Sequence, residues 1–203
     1  MEEILKTIGL TGGIGSGKSE VSRILYSMGA NIINADEVSH KAYSPGSSGW
    51  RKVVDAFGKD LVRKDGTINR TKLGGLVFAN SDKLDLLNSI VHPITRMLVY
   101  NRIDNARKKQ EAVTVLEAAI LIEANWDDMV DEVWVVTAPE QVRLNRVHQK
   151  TGLDIDSVKI RIFNQISDAE RNQNADVLID NSGSIDNLEV LVKEIWRQEI
   201  GIL

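Results

Sequence analysis

Residues Gly12-Gly13-Ile14-Gly15-Ser16-Gly17-Lys18-Ser19 match G-x-x-x-x-G-K-[ST], the pattern of a loop that cradles phosphate. The apolar run Ile4-Leu5-Lys6-Thr7-Ile8-Gly9-Leu10 before it reads as a buried strand. After it, Val21, Ile24, Leu25 and Met28 recur at helical spacing, and Gly29 supplies a stop. These flanks matter as much as the glycines, because the pattern carries chemistry only between a strand and a helix. In that setting glycines let backbone N–H groups turn inward around a phosphate, and the helix start adds partial positive charge. Lys18 reaches the β- and γ-phosphates, and the Ser19 hydroxyl ligates Mg2+. The chain is expected to bind a nucleoside triphosphate. A dinucleotide fingerprint fails here: G-x-G-x-x-G starting at Gly13 needs glycine where Lys18 stands.

Four more segments read as short strands: Ala30-Asn31-Ile32-Ile33-Asn34, Ala112-Val113-Thr114-Val115-Leu116, Glu132-Val133-Trp134-Val135-Val136 and Asp176-Val177-Leu178-Ile179. Separated by helical stretches, they predict an α/β fold with a parallel five-stranded sheet covered on both faces. Ligands of such sheets lie beyond the carboxyl ends of the strands, which points Asp36, Glu117 and Asn181 toward Gly12–Ser19. A helical insertion of residues 37–110 and a second of 139–172 interrupt a core of 1–36, 111–138 and 173–203. Ser44-Pro45-Gly46-Ser47-Ser48-Gly49 and Lys64-Asp65-Gly66-Thr67 are turn chemistry in the first insertion, and His92-Pro93 predicts a helix boundary. The second opens at Pro139 and carries Arg143, Arg146, Lys150, Lys159, Arg161 and Arg171. It reads either as a solvated helical pair or as a lid that lays arginines across the phosphates and excludes water.

A chain of 203 residues suits one α/β domain with embellishments. Its net charge of −4 does not indicate a broad nucleic-acid face. The absence of cysteine removes disulfides and thiolate chemistry and fits a reducing cytoplasm. Met1-Glu2-Glu3 with a short apolar run does not read as a signal peptide, and no stretch approaches the roughly 20 apolar residues of a membrane span.

Ile8-Gly9-Leu10-Thr11 running into the phosphate loop resembles the opening of the dephospho-coenzyme A kinases. The order of later motifs is similar too. Asn34-Ala35-Asp36 looks like the family's Asp-Ala-Asp, Asp65-Gly66-Thr67-Ile68-Asn69-Arg70 with Leu73 and Val77-Phe78 like its substrate-side segment, and His92-Pro93 like its His-Pro. Leu116-Glu117-Ala118-Ala119-Ile120-Leu121-Ile122-Glu123 loosely matches Asp-x-Pro-Leu-Leu-x-Glu. Gly152-Leu153, Arg161, Gln165 and Ile179-Asp180-Asn181-Ser182-Gly183 match the lid and last strand. The resemblance runs from about residue 4 to 195. Three positions depart from it: Glu20 stands for Thr, Asn34 for the first Asp, and Glu117-Ala118-Ala119 for Asp-x-Pro. The last, with Asn125-Trp126, is similar to the kinase half of the fused coenzyme A synthases of animals.

The resemblance implies a P-loop kinase fold and transfer of the ATP γ-phosphoryl group to the ribose 3′-hydroxyl of dephospho-CoA, with Mg2+ held at Ser19. It assigns catalysis to Asp36 as base, with Lys18 and Arg146. It assigns the nucleotide to Gly12, Gly13, Ile14, Gly15, Ser16, Gly17, Lys18, Ser19, Glu20, Arg143, Arg146 and Asn181. The acceptor falls to Thr11, Asp36, Arg70, His92, Leu121, Glu123 and Arg161. The expected partner is the small-molecule substrate alone, with no nucleic acid or membrane, for a cytoplasmic monomer or small homo-oligomer. Read from the loop, carboxylate and basic insertion alone, a P-loop kinase acting on another nucleotide, a sugar or a shikimate-like acceptor fits equally well. A GTPase does not, since N-K-x-D is absent.

Overall fold

Short apolar runs between helices predict parallel strands, and five strands are found among the described residues. The computed structural model describes residues 5–201, so Ile4 of the expected first strand and the acidic start Met1-Glu2-Glu3 lie outside it. The strands are β1 (Lys6–Thr11), β2 (Asn31–Asn34), β3 (Val113–Glu117), β4 (Glu132–Thr137) and β5 (Val177–Asp180). They form one sheet in the order β2-β3-β1-β4-β5. β1 pairs in parallel with β3 (Ile8 opposite Val115) and with β4 (Leu10 opposite Trp134), and β4 pairs with β5 (Val136 opposite Ile179). The expected sheet is the observed one.

Residues up to Ile33 with those from Asn105 onward form one compact unit, and Asn34–Asp104 form another. In the first, α1 (Lys18–Ser27) and α9 (Ile185–Glu199) cover one face of the sheet. Ile8 and Leu10, Val113 and Val115, Trp134 and Val136, and Ile179 alternate onto that face. They pack against Val21, Ile24 and Leu25 of α1 and Leu188, Val192 and Trp196 of α9. Leu121 takes the space behind β1: a Cβ on Gly9 would come within 2.6 Å of Leu121 Cδ2. Next follow α6 (Glu140–Thr151), α7 (Ile155–Phe163) and α8 (Asp168–Gln173). Leu144, Val147 and Val158 make a small core of their own, and Ile14 of the phosphate loop packs into it.

The second unit holds α2 (Ala35–Ala42), α3 (Ser48–Phe57), α4 (Arg70–Phe78) and most of α5 (Ser81–Lys108) around Val53, Val54, Leu61, Ile68, Leu73, Val77 and Val91. Lys64-Asp65-Gly66-Thr67 is a tight turn closed by Arg63 N donating to Thr67 O at 2.8 Å and Thr67 N donating to Asp65 Oδ1 at 3.0 Å. Ser48 and Gly49, expected in a turn, already belong to α3, because the Ser47 hydroxyl caps it by accepting from Trp50 N. The Trp50 indole in turn donates to Gly66 O at 2.8 Å.

The expected boundary at His92-Pro93 is not there. α5 runs through Pro93 as a single 28-residue helix. One proline removes one backbone donor, and the apolar stripe on either side of it (Leu84, Leu87, Ile90, Val91, Ile94, Leu98) stays packed on the unit's core. Packing of that length outweighs one local penalty. Because the Pro93 side chain is exposed, Pro93→Ala should stabilise the protein by about 2 kcal/mol, the helix-interior penalty less the entropy proline removes from the unfolded chain. Urea denaturation measures it, and a loss of stability would contradict this account.

Candidate active site

The phosphate loop leaves the carboxyl end of β1 at Thr11 and enters α1 at Lys18. Gly17 is the cap residue of α1 at φ +97°, with no side chain bonded to the helix start. Elsewhere Asn34, Ser47, Asn69, Asp154, Ser167 and Ser184 close their helices with side-chain oxygens. α1 therefore starts without a side-chain cap, an arrangement that suits an anion.

The loop is crowded from every side. A Cβ on Gly12 would overlap Val136 O, one on Gly13 the Arg143 Nη1, one on Gly15 the Arg143 carbonyl and one on Gly17 the Asn181 Nδ2. Lys18 Nζ folds over it, donating to Gly12 O at 2.6 Å and to Gly13 O at 3.4 Å. The Asn181 amide, buried just past β5, donates to Ser16 O at 2.7 Å and accepts from Arg146 Nη2 at 3.5 Å. Ile14 N donates to Gln165 Oε1 at 2.8 Å. Thr11 Oγ1, Ser16 Oγ, Arg143 Nε and Arg146 Nη1 are buried with no hydrogen-bond partner. Unpaired donors beside an uncapped helix start are what a polyphosphate would satisfy.

Ser19 Oγ donates to Glu117 Oε1 at 2.9 Å, and Glu117 is the buried last residue of β3. A hydroxyl and a carboxylate side by side are oxygen donors of the kind Mg2+ takes. Among the described residues no group of three or more His, Asp or Glu could by itself hold a metal ion.

Arg143 and Arg171, which helical position alone would leave at the surface, are only 3% and 1% exposed. Between them stands Asp168, accepting from Arg143 Nη2 at 2.6 Å and from Arg171 Nη1 at 2.9 Å. Arg171 Nη2 also donates to Ile166 O at 3.1 Å and lies 3.6 Å from Glu123 Oε1. Glu123 is thus beside Arg171, and Leu121 is wholly buried against β1. Arg161 is exposed on α7, and Glu20 pairs with Arg23 on the surface of α1. Asp168 was not read from the sequence. Its local pairing with Arg171 three residues on is visible there, but its partner Arg143 is 25 residues away.

In the other unit, Asp36 lies exposed in the first turn of α2, and the cap of that turn is Asn34, whose side chain accepts from Glu37 N at 3.1 Å. Burial and the charge of Arg70 hold the His40 imidazole below its usual range, with Asp36 and Glu37 pulling the other way. Asp36, His40 and Arg70 therefore share one electrostatic neighbourhood. His92 is also held low, by burial.

The family model for dephospho-CoA kinase matches residues 6–187. The chain belongs to the dephospho-CoA kinase family. A dephospho-CoA kinase of Carboxydothermus hydrogenoformans is 42% identical over 199 residues, covering 96% of this chain and 97% of that protein. Among solved structures, TT1252 from Thermus thermophilus superposes with a TM-score of 0.80 at 28% identity, covering 97% of this chain and 98% of that one. The dephospho-CoA kinase from Campylobacter jejuni gives 0.74 at 26% identity, covering 96% and 97%. The fold is that of the P-loop kinases, and the chain is an ATP-dependent kinase. No helix of the described residues is long and apolar enough to cross a membrane.

The loop's neighbours separate two substitutions that look alike. Gly12→Ala drives a methyl into the backbone carbonyl of Val136 and should destabilise the protein by about 2 kcal/mol. Gly13→Ala meets the far ends of the Arg143 and Arg171 side chains rather than backbone, so its cost to stability should be smaller than that of Gly12→Ala while nucleotide binding weakens. Denaturation and ATP titration of both variants check this.

Proposed function

We propose that the chain phosphorylates the ribose 3′-hydroxyl of dephospho-CoA, yielding CoA and ADP, with Asp36 as the base. The observation that carries the reading is the phosphate loop before an uncapped helix, in a chain that matches the dephospho-CoA kinase family over residues 6–187. In the step, the 3′-oxygen bonds to the γ-phosphorus and the bond from that phosphorus to the β–γ bridging oxygen breaks. The electron pair leaves on ADP, and the hydroxyl proton passes to the Asp36 carboxylate. Such a transfer asks for positioning and charge stabilisation more than for covalent chemistry.

Backbone N–H groups of the loop up to Ser19, apart from those of Ile14 and Ser16, hold the phosphates, Lys18 turns from the Gly12 and Gly13 carbonyls to the β/γ oxygens, and Arg143 and Arg146 meet charge that develops in transfer. Asn181 keeps Ser16 in place under the nucleotide. Ser19 and Glu117 would hold Mg2+, which when bound neutralises phosphate charge. Glu20, at the same turn, stays close to the nucleotide. Arg70, His92, Thr11, Leu121, Glu123 and Arg161 are assigned to the acceptor side: Arg70 to its anionic pyrophosphate and His92 to the shape of its pocket. Of these, Leu121 acts through the packing behind β1, since it has no exposed surface of its own.

Residues 37–110 serve as the acceptor-binding insertion and 139–172 as the lid over the phosphates. The acceptor is the only partner, Mg2+ the metal, the assembly a monomer or small homo-oligomer and the compartment the cytoplasm. A cysteine-free chain of net charge −4 supports these assignments.

Coupled ADP release with ATP, Mg2+ and a panel of dephospho-CoA, nucleoside, sugar and shikimate-like acceptors tests the reading. Turnover should be confined to dephospho-CoA. Asp36→Asn should lower kcat by about 10²–10⁴ at unchanged melting temperature, and Lys18→Ala should lose measurable turnover while remaining folded. An Asp36→Asn enzyme with wild-type kcat removes the base assignment, and turnover of another acceptor only removes the substrate.

A further inference from the structure

We infer that Asp168 is a positioning residue, whose carboxylate holds the Arg143 and Arg171 guanidinium groups against the phosphate loop before the nucleotide arrives. The inference deepens the kinase reading and rests on it only in taking ATP as the ligand of that loop.

Two guanidinium groups, both more than nine-tenths buried, converge on the same glycine. Arg143 Nη1 occupies the space a Cβ on Gly13 would need, and Arg171 Nη1 lies 3.5 Å from that point. Like charges so placed repel, and burial without a counter-charge costs each of them several kcal/mol. Asp168 answers both at once, one carboxylate oxygen to each arginine. Glu123 gives less, since it stands 3.6 Å from Arg171 and neither of its oxygens has a hydrogen-bond partner.

The pairing is not part of the apolar core. The Asp168 side chain is 47% exposed and borders an open cavity of about 290 Å3 shared with Arg143, Phe163, Gln165 and Arg171. α8 itself is closed by Ser167, so the helix does not need Asp168 as its cap. What Asp168 alone supplies is the charge that keeps Arg143 at Gly13 and away from solvent. An arginine already in place loses less freedom on meeting phosphate, and the binding energy is kept for the transfer step. An asparagine offers one acceptor and one donor where two donors must be answered, so it serves one arginine and repels the other. A glutamate keeps both acceptors and the charge on a longer arm.

The test is ATP binding by calorimetric titration, without acceptor, with kcat and KM measured in parallel. Asp168→Asn should weaken ATP binding about tenfold, and Asp168→Glu should restore part of the loss. In an Arg143→Met background, Asp168→Asn should cost much less. Wild-type ATP affinity in Asp168→Asn overturns the inference. So does an equal loss in both backgrounds with no recovery by glutamate, which would make Asp168 merely structural. If the wild-type protein binds ATP but does not phosphorylate dephospho-CoA, and Asp168→Asn still weakens ATP, then the acceptor reading fails and this one stands.

Discussion

A phosphate loop has almost no side chains with which to hold its own shape, so that shape must be imposed from outside. Here the Asn181 amide holds Ser16 O, Gln165 fixes the Ile14 N–H, Lys18 bridges two loop carbonyls, and the Val136 carbonyl abuts Gly12. Each restraint comes from a different place in the fold: β4, the turn just past β5, the approach to α8, and α1 itself. The loop is correct only if the sheet order and the packing of α6 to α8 are correct. That is why the site depends on residues as distant in sequence as 14 and 165.

The same restraints explain why arginines can be buried beside it. A surface helix gains nothing by hiding a guanidinium, and an isolated one would be driven out to water. Arg143 and Arg171 remain because carboxylates meet them and because the loop backbone replaces apolar neighbours on one side. The arrangement is strained in charge and incomplete in hydrogen bonds, with both Nε atoms unpaired. Polar groups left in that state at a loop shaped for anions are groups awaiting a ligand.

Much of this was legible in the sequence. The strands were, because parallel strands buried on both faces read as short β-branched runs, and the loop was, because its glycines and Lys18 have fixed spacing. Pro93 misled because a local rule was weighed without the apolar stripe that carries α5 past it. Asp168 was illegible for a different reason. A carboxylate three residues before an arginine is an ordinary helix pair, and nothing in sequence brings Arg143 to it across 25 residues and two turns. One boundary between the two units falls inside α5, which starts in one and ends in the other, so no composition shift marks it.

Asn34 shows how a departure from a family pattern can keep the physics intact. Asparagine and aspartate cap helices about equally well, and the Asn34 side chain does close α2 by accepting from Glu37 N. An aspartate there would add a third carboxylate to a stretch that already holds Asp36 and Glu37. The neutral cap spares that turn further negative charge while the helix start stays fixed. Asp36 takes no part in that cap, and its carboxylate is exposed. The substitution keeps the fold's job at position 34 and leaves the proposed chemistry at position 36 untouched.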